Sequence, residues 1–138
     1  MRYLGLVVLT LAVAGCGSGG GGGTTAAPTR DARCLNVPAP AVTAIAAKVK
    51  GGETLTSAQA VQSLDYETAT YFVSAKLGTG DIGTWATSKL GPAGVVYAVD
   101  DIAKAKSTWP AGDTSDTYVS MIDDGADLSR DCVGAVAK

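Results

Sequence analysis

Histidine is absent from all 138 residues. Ser-His-Asp and Cys-His mechanisms therefore have no base here, and zinc sites built on imidazole have no ligand. Aromatic residues are scarce, at 6%, and glutamate occurs only at Glu53 and Glu67. Lys and Arg form no cluster of the kind that displaces counterions from phosphate, which argues against nucleic acid as a partner. No apolar run reaches the roughly twenty residues that a membrane-spanning helix needs. These absences remove many extracellular hydrolase classes and leave a chain long enough for one domain.

What is present is apolar enough to fold and unevenly charged. Apolar residues make up 46% of the chain, ordinary for a globular protein. Net charge is −2, and loss of Arg2 with a cleaved leader lowers it by one. From Asp100 onward eight aspartates face only Lys104, Lys106, Arg130 and Lys138. A solvated acidic face is the bland account of this skew, and a basic partner the sharper one.

The N-terminus carries the most specific signal. Met1-Arg2-Tyr3 gives a positive start, and Leu4 to Ala14 is an apolar run of about eleven residues, a signal-peptide core rather than a stable anchor. Val13-Ala14-Gly15-Cys16 follows. These four residues resemble the lipobox of bacterial lipoproteins, in which small residues precede a cysteine that is diacylated and becomes the new N-terminus. The resemblance covers residues 1–16. It implies a leader over 1–15, palmitate-type chains on Cys16, a lipid bilayer as partner, and a location on the extracytoplasmic side of the cell membrane. An ordinary signal-peptidase site, Ala12-Val13-Ala14, overlaps it. Residues 16–33, with the glycine run Gly19 to Gly23, bury nothing and read as a flexible tether. A coil of about seventeen residues spans roughly 20–25 Å.

Cysteine parity agrees with that reading. Three cysteines in an exported protein leave one odd thiol. With Cys16 acylated, Cys34 and Cys132 remain as a pair for an oxidising compartment. They bracket residues 34–138, the expected domain. Closing a loop of about a hundred residues adds roughly 4–5 kcal/mol on chain-entropy grounds. A redox-active pair is the other use of two cysteines, but reactive pairs usually sit close together in sequence.

The patterning predicts an α+β domain of two layers: a helix, a four-stranded antiparallel meander, and a C-terminal helix, closed by one disulfide. Pro38 and Pro40 suit the start of a first helix over 40–50, and Gly51-Gly52 its end. Strands are expected near 58–64, 69–77, 82–89 and 94–99. In the second, Tyr71, Val73, Ala75 and Leu77 alternate with Phe72, Ser74 and Lys76, as in a sheet with one buried face. Asp100 or Asp101 can cap a short helix through Lys106. A long last helix is expected over 117–136, with Gly125 on its apolar side and able to approach the sheet closely.

Several motifs suggest chemistry, and their context argues against each. Gly78-Thr79-Gly80-Asp81-Ile82-Gly83 matches a dinucleotide pattern, but a strand follows where that motif needs a helix N-terminus, so a hairpin turn is expected. Asp113, Asp116, Asp123, Asp124, Asp127 and Asp131 suggest calcium, yet the ligand spacing and closing glutamate of an EF-hand are missing. No cofactor or metal is therefore expected. Two carboxylates could in principle hydrolyse a cell-wall glycosidic bond, which requires a raised pKa and a cleft.

Phe72, Trp85, Val96 and Ala98 are expected on the sheet face away from the helices. Either the loop from Ser107 to Ser115 covers them, with Trp109 folded beneath, or they form an exposed patch for an envelope protein or an apolar ligand. The stretches Tyr71-Phe72-Val73-Ser74-Ala75, Trp85-Ala86-Thr87, Tyr97 to Trp109, Asp124-Gly125-Ala126 and Asp131-Cys132-Val133 are similar to small exported proteins of actinobacteria. That resemblance spans most of residues 34–138 and implies no activity. The sequence reads best as a non-enzymatic binding or accessory module of the cell envelope, with the glycosidase as the alternative.

Overall fold

The computed structural model describes residues 29–136. The expected leader, Cys16 and the glycine-rich stretch lie outside the described residues. Within them the fold is α+β. Five strands, β1 (Leu35–Asn36), β2 (Thr56–Gln62), β3 (Tyr71–Lys76), β4 (Ile82–Thr87) and β5 (Val96–Ala98), form one sheet in sequence order. Every neighbouring pair is antiparallel. Three helices accompany it: α1 (Ala39–Ala46), α2 (Asp101–Lys106) and α3 (Ala126–Val136). The sheet thus has one strand more than the patterning predicts. β1 is two residues long, too short to leave a period, and α1 separates it from β2, so the meander covers only β2 to β5.

Local chemistry accounts for several boundaries. Pro38 precedes α1 and Pro40 sits in its first turn, where a missing N–H costs nothing. α1 ends at Ala46, and a 3-10 turn over Lys50–Gly52 follows, with Gly51 at φ +72°. Gly78 to Asp81 form the hairpin turn between β3 and β4, closed by Leu77 N–H to Asp81 O at 2.8 Å. Asp100 caps α2, its Oδ1 accepting from Ala103 N–H at 2.7 Å.

α3 is shorter than expected. It begins at Ala126 and not at Thr117, because Tyr118 at φ +38° and Gly125 at φ +91° break any helical course before it. The close approach at Gly125 is real. A Cβ there would lie 2.9 Å from Val61 Cγ1, and Phe72 Cδ2 stands just beyond at 3.7 Å.

The helices do not share one face. Ile45 of α1, Val49 just after it and Ala103 of α2 pack with Ala60, Val73, Ala75, Trp85 and Ala98. α3 lies on the opposite side, where Ala126 packs with Phe72 and Ala86, and Cys132 with Val61 and Cys34. The sheet is therefore a middle layer, and β3 is buried at all four inner positions, Phe72 to Ala75. This replaces the single buried face and the two-layer arrangement expected from the alternation. On the α3 side a buried hydroxyl chain links Ser74 to Thr84 at 2.8 Å and to Ser129 at 2.7 Å, and Ser129 donates onward to Ala126 O. Each hydroxyl has a partner, so the chain crosses the core without a desolvation penalty left over.

Cys34 and Cys132 form the disulfide, with Cα atoms 5.7 Å apart and a sequence separation of 98. The domain also extends further towards the N-terminus than Cys34. Arg30 donates to Cys34 O, Asn36 Oδ1 and Gln59 Oε1, so the last residues of the expected tether are docked on β1 and β2.

Two outcomes follow. Replacing Cys34 and Cys132 together with alanine should remove about 4 kcal/mol, as loss of a closed loop of this length implies, read as a lower urea midpoint without loss of secondary structure at low temperature. Gly125→Ala should cost about 2–4 kcal/mol from backbone strain and overpacking together, whereas Gly134→Ala, on the exposed side of α3 with open space around it, should be neutral or mildly stabilising by the same measurement.

Candidate functional site

The residues singled out as a binding patch do not meet on a surface. Antiparallel register pairs Phe72 with Ala86 and Val73 with Trp85, which sends Phe72 and Trp85 to opposite faces. Phe72 and Trp85 are fully buried and Val96 nearly so. Phe72 is covered by the approach to α3. Trp85 lies over Gly83, where a Cβ would come within 2.7 Å of the ring, and its indole N–H points to Ser107 Oγ at 3.4 Å. Trp109, half-buried, packs on the end of α1. Its indole donates to Ile45 O at 2.8 Å, and Lys48 Nζ stands 4.2 Å above the ring centroid. These four side chains therefore build the core and the seam between α1 and α2.

The aspartate run is dispersed into structural duties. Asp123 accepts from Tyr66 O–H at 2.6 Å and from Ser120 N–H at 2.7 Å. Asp124 accepts from Arg33 Nη1 at 3.0 Å and Leu64 N–H at 3.0 Å, while its own N–H donates to Asp65. Together these bonds clasp the β2–β3 loop, the segment before α3 and the turn at Arg33. The Arg33 hydrogen bond, then that of Leu64, holds Asp124 below the usual carboxylate range. Burial, then the hydrogen bond to Asp123, pushes the Tyr66 phenol well above the ordinary tyrosine range. Among the described residues no group of three or more His, Cys, Asp or Glu side chains is arranged to hold a metal ion.

A concavity of about 530 Å³ forms a groove between α2 and the start of α3. Asp100, buried, receives Arg130 Nη1 at 2.8 Å on its floor. Lys104 Nζ donates to Asp113 at 2.8 Å on its wall, a bond that lowers the Asp113 pKa. Asp101 and Asp127 also line it and make no ion pair with a described residue. A proton donor to a sugar leaving group needs a raised pKa. Asp113 on the groove wall moves the opposite way. Asp100 is committed to a helix cap and an arginine. The groove can hold polar or charged groups, and nothing in it forms a nucleophile–base pair.

A second, smaller concavity of about 180 Å³ opens at the end of the sheet formed by the β3 start, the β4 end and β5. It lies between Thr70, Ala86, Tyr97, Thr117 and Val119. No spacing in the sequence signals it, because its residues come from four separate segments. Searches against protein-family models, curated proteins and solved structures return no match for this chain.

The Tyr66–Asp123 contact sets a pH limit. A tyrosine whose folded pKa exceeds its unfolded value, near 10, gives stability that is complete below about pH 10 and fades as pH rises towards the folded value. An alkaline absorbance titration should show the Tyr66 phenol ionising above the ordinary tyrosine range and coincident with unfolding. Asp123→Asn should bring that ionisation to lower pH.

Proposed function

We propose that this chain is a lipid-anchored lipoprotein of the cell envelope whose extracytoplasmic domain acts as a non-enzymatic binding or accessory module. One observation carries the reading. The cystine takes Cys34 and Cys132, which leaves Cys16, directly behind Val13-Ala14-Gly15, as the cysteine outside it. A structural disulfide favours an oxidising compartment, and a cysteine at the end of a short apolar leader favours acylation. Two or more acyl chains hold a protein stably at a bilayer where one is marginal. Among the described residues no helix is long and apolar enough to cross a membrane.

The binding role draws on the concavities. With both sheet faces covered, the groove beside α2 and the pocket at the sheet end are two surfaces that can hold a ligand. Most buried polar side chains in the domain already have partners, which suits a rigid scaffold better than a reacting centre.

Intact-mass spectrometry of the native protein extracted from membranes tests the anchor. The expected species starts at Cys16, carries fatty acyl chains and contains no free thiol. Cys16→Ala should abolish acylation and membrane retention while leaving the folded domain unchanged. A mature protein that starts elsewhere, or that carries free thiols at 34 and 132, overturns the proposal.

A further inference from the structure

The pocket at the sheet end has a chemistry distinct from that of the groove beside α2. It rests on the binding-module reading and gives that reading a ligand class. None of its lining side chains is charged, although the groove beside α2 holds four aspartates and two cations. Hydroxyl groups dominate instead, six of them, on an apolar floor of Ala86 and Val119. The volume, about 180 Å³, corresponds to roughly six waters, well under the space a drug-sized ligand takes.

The state of these hydroxyls separates structural from available groups. Thr87 donates to Lys89 O at 3.0 Å and Thr70 to Thr68 O at 3.3 Å, so both serve the local backbone. Ser88 Oγ accepts from Val95 N–H at 3.2 Å and keeps its own proton to donate. The hydroxyls of Thr68, Tyr97 and Thr117 make no hydrogen bond to any described residue. Three open hydroxyls thus ring a small apolar floor.

Ligand classes can be compared on that basis. An anion meets no cation in the pocket and a cation meets no carboxylate, so either loses hydration without compensation. A hydrocarbon covers the floor but strands the hydroxyls away from water. A compact ring with an apolar C–H face and a rim of hydroxyls satisfies both parts. We propose that this pocket binds a single uncharged pyranose ring, its C–H face on Ala86 and Val119 and its hydroxyls on Thr68, Tyr97 and Thr117. The ring can belong to a free sugar or to the end of a neutral glycan, since the same contacts serve both.

Saturation-transfer NMR on the full chain, held in a non-sugar detergent, tests this directly. Methyl β-glucoside and N-acetylglucosamine represent free sugars, a chitin oligomer represents a glycan end, and gluconate and octanoate are the charged and apolar comparisons. Transfer to the pyranosides that saturates at millimolar concentration supports the proposal; transfer to the oligomer alone supports it with the glycan as source. Thr117→Val and Tyr97→Phe should each weaken binding about fivefold, the value of one neutral hydrogen bond, with the near-ultraviolet signal of buried Trp85 reporting an intact fold. If Tyr97→Phe disturbs the sheet, Thr117→Val at its exposed position gives the same readout. No transfer to any neutral sugar, stronger transfer to gluconate or octanoate, or sugar binding unchanged in folded variants overturns it. Because membrane retention of Cys16 is read separately, a protein that is anchored but does not bind sugars loses this inference alone.

Discussion

The constraint that organises this domain is burial of both faces of β3 and β4. Phe72 points one way and Trp85 the other, and each is fully enclosed. A sheet covered on both sides needs a helix layer on each, and about 105 residues provide little for this. The chain meets the need with short helices: α1 and α2 side by side over Trp85, and α3 alone over Phe72. Small residues make the layers fit. Gly83 leaves room for the Trp85 ring, and Gly125 lets the start of α3 touch Val61. Full burial of a Trp or Phe stabilises strongly, since truncation of either to alanine typically costs about 3–5 kcal/mol.

Much of the architecture is legible in the sequence because its signals are local. Pro38 and Pro40, the Asp100 cap, the Gly78 to Asp81 turn and the pairing of Cys34 with Cys132 each follow from chemistry within a few residues or from counting. The sidedness of the sheet is not legible. Ser74 and Thr84 look like solvent-facing positions in an alternating strand, yet each spends its hydroxyl on the other or on Ser129. A polar residue with an internal partner no longer marks the exposed face, and the single-face expectation fails for that reason. The length of α3 was hidden similarly. Aspartates that fit a solvated helix face are instead acceptors in a loop clasp, a role that depends on Tyr66 and Arg33 far away in sequence.

The candidate binding residues show the same division. Large side chains such as Phe72 and Trp85 are the easiest to notice in a chain poor in aromatics, and that scarcity is itself why they are buried: the core has few alternatives. The groove beside α2 and the pocket at the sheet end instead bring threonine, serine, tyrosine and aspartate together from separate segments. Their spacing in sequence has no period, so only the folded chain reveals them.

The disulfide has one more consequence, which is mechanical. Cys34 lies just ahead of β1, a strand of two residues that would peel readily from the sheet edge under tension. Covalent linkage to Cys132 diverts any pull on the chain ahead of Thr29 into the middle of α3, which is packed across β2, β3 and β4. The pull then meets a helix packed on three strands before it reaches β1. A domain tugged from its N-terminal side is thereby gripped at its broadest layer, and the weakest strand is spared.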